Sequence, residues 1–330
     1  MLQYAGIDED GMIFPDIARN VNMEIDEITQ GVLNKIDDTG FKQEGAYNLR
    51  YNGYALCRGD SEHIKIRKRE DSHPGIDVII SKETRKETVH IPVVISKSGM
   101  TDEVYNDFYV EPGAEVTIVA GCGIHNAGCD DARHDGIHTF HVGKGATVIY
   151  REKHYGEGEG EGARILNPVT HIILEEDAQF TLDTAQIKGV DSTVRETKVE
   201  MKEGARLFVT ERLLTHGSQT AVSNIDVILN GTGSSAQIVS RSVARDGSVQ
   251  TFHPRAIGNA GCHAHIQCDS IIMDAARVSS IPEINANHVD AAIIHEAAIG
   301  RINNDQLKKL CTLGLTEEEA EAVIIEAFLN

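Results

Sequence analysis

Two groups of soft and borderline metal ligands stand out in the sequence. The denser is Gly121-Cys-Gly-Ile-His-Asn-Ala-Gly-Cys129, followed by His134, His138 and His141. Thiolate and imidazole suit zinc, iron and copper, so Cys122, His125 and Cys129 with the later histidines form a candidate zinc site. The C-x2-H-x3-C spacing lacks the paired knuckles of a standard zinc finger, and the same residues also fit as hydrogen-bonded polar positions on a loop and a strand. The second group is Cys262-His-Ala-His265 with Cys268. Alternation at period two sends Cys262, Ala264, Ile266 and Cys268 to one face and His263, His265 and Gln267 to the other. A buried thiol acting as a small hydrophobe is the plainer fate of such strand cysteines. His295-Glu296 is a third candidate. Neighbours on a strand face opposite ways, so one of the two serves a given site. Cys57 and Cys311 lack polar company and read as packing residues. Gly156–Gly162 is followed by neither a helix start nor a phosphate-binding lysine, so it is no P-loop.

The elements that must position these residues are mostly strands. Residues 16–38 place Ile17, Val21, Ile25, Ile28, Val32 and Ile36 at steps of three or four, an amphipathic helix ended by Asp37, Asp38 and Gly40. From about Leu49 to about residue 300, short alternating segments such as His63–Arg67, Asp77–Ile80 and Thr88–Ile95 are separated by turn residues. A turn followed by a strand recurs with a small residue at Ala114, Ala146, Ala178 and Ala205, separations of 32, 32 and 27, and a fifth copy falls around Gly233 to Ala236. Such a period without intervening helices predicts a β-solenoid, in which each coil lays its strand on the previous one; a β-sandwich is the competing reading. After Asn304–Gly314, a short helix stopped by glycine, Thr316 and Glu319 make a capping box. They open a second helix with Ala320, Val323, Ile324, Ala327 and Phe328 on one face. The expected organisation is an N-terminal helical segment over 1–45, a β-helix over 46–302 and a helical pair over 303–330.

Composition narrows the function classes. The 330 residues carry 31 basic and 51 acidic side chains, a net charge of −20, with 41% hydrophobic content. That suffices for a sizeable core, and it disfavours nucleic acid and anionic membranes as partners. The first eleven residues hold acidic pairs and no basic apolar stretch, and no apolar run is long enough to span a bilayer. A cytoplasmic protein with six reduced cysteines is therefore expected. A carbohydrate-active β-helix enzyme is a rival, but the chain has no tryptophan for a sugar platform. A zinc-binding structural protein is another.

The C-terminal third resembles the SufB/SufD family. Ile238-Val-Ser-Arg-Ser-Val-Ala-Arg-Asp-Gly247, Gln267-Cys-Asp-Ser270, Ile281-Pro-Glu-Ile284, His295-Glu-Ala-Ala-Ile-Gly-Arg-Ile302, Asp305-Gln-Leu307 and Gly314-Leu-Thr-Glu-Glu-Glu-Ala320 follow in family order. The match is continuous over about 235–328, weaker around Gly121-Cys122 and the repeats, and poor over the first 45 residues. The resemblance implies a right-handed parallel β-helix with terminal helices. It also implies a non-catalytic scaffold for iron–sulfur cluster assembly that holds a transient cluster. The implied partners are a SufC-like ABC ATPase docked on the C-terminal helices, a sulfur donor, and a second SufB/SufD-like chain or a second copy in a dimer. By position, Cys268 matches a cluster-holding cysteine, Glu296 its acidic partner and His295 a histidine at the dimer interface. Thiolate with imidazole or carboxylate is the donor set of a labile iron site. On strand spacing alone, 295–296 one coil after Cys268 would lie about 5 Å from it, and of the two Glu296 is the expected ligand. Cys122 matches the cysteine that accepts sulfur at the entrance of an internal path. That role implies an incompletely buried thiol, alkylating faster than Cys57 or Cys311.

Overall fold

The computed structural model describes residues 26–37, 41–42 and 44–329. Of the expected N-terminal helix, residues 16–25 lie outside the described residues. The described part is α1 (Glu27–Ile36), capped by Asp26, whose carboxylate accepts from the Thr29 N–H at 2.7 Å.

The chain then winds into a β-solenoid of about eight turns built from two facing sheets. One sheet contains β1 (Ala46–Tyr51), β2 (Tyr54–Gly59), β5 (Arg85–His90), β6 (Val93–Ile95), β8 (Glu115–His125) and β10 (Thr147–Glu157). It continues through β13 (Gln179–Lys188), β15 (Arg206–Thr215), β17 (Ser235–Ala244), β19 (His263–Ile272) and β22 (Ala292–Gly300). The other contains β3 (Ile64–Lys68), β4 (Gly75–Ile80), β7 (Thr101–Val110), β9 (Ala132–Val142), β11 (Arg164–Leu166) and β12 (Val169–Leu174). It continues through β14 (Ser192–Met201), β16 (Thr220–Leu229), β18 (Val249–Gly258), β20 (Arg277–Ser280) and β21 (Glu283–Ala286). Described pairings are parallel, apart from the β1–β2 and β3–β4 hairpins that open the structure.

Register confirms the repeat. Thr147 lies opposite Glu115 and Gln179, and Gln179 opposite Arg206, which reproduces the 32, 32 and 27 steps. The fifth copy falls within Gly233 to Ala236 as expected: Arg206 pairs with Ser235, so Ser234 takes the corner that Ala205 occupies one coil earlier. Both are buried, as is Ala236 at the next inward position. Corners are crowded because the chain reverses there against its neighbour, which is why only small residues fit.

Along most strands of the middle coils inward positions alternate and fuse into a core of Val, Ile, Leu, Phe and Ala stacked coil on coil. Outside the solenoid, α1 lies on β8. Gly121 and Gly123 make room for it: a Cβ on Gly123 would stand 2.2 Å from Val32 Cγ1, and one on Gly121 would stand 2.6 Å from the Ile36 carbonyl oxygen. At the other end come α2 (Asn304–Thr312) and α3 (Glu317–Leu329). Thr316 and Glu319 form the expected capping box, the Glu319 carboxylate accepting from the Thr316 N–H at 2.8 Å. The buried residues of α3 are Ala320, Ile325 and Leu329, the last two packed on Val243 and Met273, while Val323 is exposed. No described helix is long and apolar enough to cross a membrane.

Candidate functional site

On β19 the alternation holds: Cys262, Ala264, Ile266 and Cys268 are buried facing inward, and His263 is exposed. The step from β19 to β22 is 29 residues, because His263 pairs with Ala292. Cys268 is therefore opposite Ala297, and neither His295 nor Glu296 is its register partner. Two residues back from Ala297 is the same face, so His295 points inward. Its Nε2 lies 3.2 Å from Cys268 Sγ. Glu296 is on the outer face, 3.6 Å from His265 Nε2. Burial pushes the Cys268 thiol up to about 11, with Ser280 beside it pulling the other way. Burial also lowers His295, so thiol and imidazole are both neutral at pH 7. The Ser280 hydroxyl oxygen is buried against the Cys268 thiol, with no nitrogen or oxygen partner. A thiol, an imidazole and a buried hydroxyl thus share one corner of the last coil. Among the described residues β22 is paired only with β19, and β20 and β21 only with β18. Exposed Ile281, Ile284, Val289, Ile294 and Ile299 surround this end.

Behind Cys268 the interior carries a line of polar groups. Register stacks Glu152, Thr184, Glu211, Ser240 and Cys268 on successive coils. Glu211 accepts from Ser223 at 2.7 Å and from Ser240 at 2.8 Å. Arg195, projecting from the facing sheet, donates to Glu152 and stands 3.9 Å from Glu211. Burial opposes the Glu152 charge, but Arg195 and then His154 outweigh it and hold the carboxyl well below its ordinary range. Thr184, Gln186, Arg195, Glu211 and Ser223 line a small internal cavity on this path.

Cys122 is in the interior near the far end of this line, its strand partner being His154. It is buried, which corrects the expectation of an accessible thiol; desolvation first, and then the Glu152 charge, push it well above its ordinary value. The exposed thiol of that segment is Cys129. The rest of the candidate zinc set is scattered. His125 pairs with Glu157 at 3.2 Å, His134 and His138 point into the core, and His141 stacks on Tyr109 outside it. Among the described residues no three His, Cys, Asp or Glu side chains converge as a metal site. Cys57 is buried and Cys311 half-buried.

Sequence reasoning missed the buried charges. Arg50 on β1 donates to Asp102 on β7, at 2.9 Å from Nε, and Asp102 also faces His134 Nδ1 at 3.0 Å. Asp102 is kept ionised although burial opposes it, because Arg50 and His134 bond to it. The available signal was charge at inward positions of otherwise alternating strands: Glu152 two residues from Tyr150, Arg195 two from Thr193, Glu211 two from Val209.

A family model described as the SufBD core domain of the SUF system for FeS cluster assembly matches residues 97–328. The chain is 27% identical over 279 residues to an iron-sulfur cluster assembly SufBD family protein of Methanocaldococcus jannaschii, covering 83% of this chain and 86% of that one. A SufBD family protein of Methanothermobacter thermautotrophicus (strain Winter) is 27% identical over 243 residues, 72% of this chain and 57% of the other. One from Pyrococcus horikoshii is 31% identical over 207 residues, 61% of each. The chain thus spans little more than half the length of some of these relatives and most of another.

Proposed function

This chain belongs to the SufBD core family of iron–sulfur cluster assembly proteins, and from that premise we propose that it is a non-catalytic scaffold on which a nascent cluster is built and released. The observation that carries the reading is the 3.2 Å approach of Cys268 Sγ and His295 Nε2 beside the buried Ser280 hydroxyl. One thiolate and one imidazole ligate iron without enclosing it, which suits cargo that must leave. The Cys268 proton is displaced when metal binds, so loading rises with pH.

The open edges of the last coil and their exposed isoleucines fit a second SufBD-like chain, identical or different, closing over the cluster. An ABC ATPase of the SufC kind would dock on α2 and α3, where Leu313 and Val323 are exposed. Sulfur supplied by a donor protein would enter near Cys122 and follow the polar line toward Cys268.

The test is anaerobic reconstitution with ferrous iron and sulfide, read by absorption and Mössbauer spectra. Cys268→Ala abolishes the cluster bands while leaving the circular dichroism of the solenoid intact. Normal cluster in both Cys268→Ala and His295→Ala would remove the site.

A further inference from the structure

The buried histidines of β9 have the surroundings of metal ligands rather than of packing residues. A ligating histidine characteristically donates one ring N–H to a carboxylate or other acceptor and turns its second nitrogen to the metal. His134 Nδ1 faces the ionised Asp102 at 3.0 Å, which fixes the proton there. Its Nε2 has no hydrogen-bond partner, although the residue is only 2% exposed. His138 is oriented in the same way at Nδ1, while its Nε2 faces the Asn106 amide. Its Nδ1 is 2.7 Å from the Tyr150 hydroxyl, whose own proton goes to Glu152 at 3.0 Å, so Nδ1 donates and Nε2 carries the lone pair.

The two Nε2 atoms border one space. Between them on the strand is Gly136, and a Cβ built there would be 3.2 Å from His138 Nε2 and 3.4 Å from His134 Nε2. Asn106, on β7, reaches the same spot with its side-chain amide 3.2 Å from His138 Nε2. A half-turn of that amide exchanges its nitrogen for its oxygen and supplies a third donor.

We propose that His134 and His138, with Asn106, form a second metal site inside the solenoid that takes a divalent first-row transition metal ion. Two nitrogens and one neutral oxygen leave coordination positions open, so the ion exchanges. That its physiological occupant is ferrous iron, held apart from the Cys268 corner, rests on the assembly reading; the site itself does not.

Cobalt(II) is the probe, added anaerobically to the full chain without iron or sulfide. Crystals soaked in it should give an anomalous peak about 2.1 Å from both Nε2 atoms. In solution, Gly136→Ala fills the space while leaving both histidines and their partners in place, and it should lose one equivalent of bound cobalt, as His134→Ala does. Cys268→Ala should keep that equivalent. A wild-type crystal with only a water between the histidines overturns the site, and so does unchanged stoichiometry in Gly136→Ala. Cluster yield is scored separately, so loss of the assembly reading would not be mistaken for loss of this site.

Discussion

Cys268 and His295 touch at 3.2 Å without being partners in the ladder, because the coil between them is 29 residues long and side-chain parity, not adjacency, brings the ring inward. This parity separates the two candidate ligands on β22. His295→Ala is expected to lower reconstituted cluster at least tenfold, close to Cys268→Ala, whereas Glu296→Ala stays within about twofold of wild type. Absorption after anaerobic reconstitution reads the difference. Equal losses from the two variants would mean that the outer face contributes a ligand.

Thiol reactivity should follow exposure rather than sequence context. Under a limiting alkylating agent Cys129 reacts first and Cys311 next, with Cys57, Cys122 and Cys268 protected until the chain unfolds. Mass spectrometry that finds Cys122 modified alongside Cys129 in the native protein would show that the interior opens there.

Arg50 holds the first coil to the interior through Asp102, their side chains being 10% and 3% exposed. Removing one member of a buried pair strands the other charge. Arg50→Met is therefore expected to cost about 3 kcal/mol in urea unfolding, while Arg212→Met, which releases the half-exposed Asp183, costs under about 1 kcal/mol. Similar losses from the two would contradict the burial argument.

The seat of α1 on β8 depends on two missing side chains. Gly121→Ala places a methyl against the Ile36 carbonyl oxygen and side chain, so the helix must shift. Overpacking of this kind costs about 1–3 kcal/mol, and it should appear as faster amide exchange in α1 with strand protection retained. Unaltered exchange in the helix would show that it rests elsewhere.

Alkaline stability has a specific contributor in Cys57. Burial pushes its thiol up to about 11 from an ordinary value of 9.0. The unfolded thiol ionises first, so its contribution is complete below pH 9 and is lost as pH rises toward 11. Two pH units correspond to about 2.7 kcal/mol in full, of which about 2 kcal/mol is lost between pH 8 and pH 10.5. Comparing urea unfolding at pH 8 and pH 10.5, Cys57→Ala should lose about 2 kcal/mol less than wild type. Equal losses would assign the alkaline sensitivity to other groups.

The solenoid was legible because its corners repeat. The reversals before β8, β10, β13 and β15 take a small residue, and that constraint left Ala114, Ala146, Ala178 and Ala205 at readable intervals. The inward face of β19 was legible for the same kind of reason, since alternation is local. The choice between His295 and Glu296 was not. It depends on whether the intervening coil has an odd or even count, which turns, bulges and split strands such as β20 and β21 decide. The charged interior was harder still: Arg50 and Asp102 are far apart in sequence and meet only because two sheets face each other.

The composition of β22 makes its alignment on β19 weakly specified. Ordinarily a one-residue slip turns an apolar face outward and is forbidden by that cost. Here Ile293 has Ile294 beside it and Ala297 has Ala298, so the slipped strand would present Ile294, Glu296 and Ala298 inward in place of Ile293, His295 and Ala297. Isoleucine would replace isoleucine and alanine replace alanine over 293–298, so the pairing with β19, rather than the strand's own composition, keeps His295 and not Glu296 toward Cys268. Whatever covers the free edge of this strand therefore also fixes the kind of donor offered to the thiol.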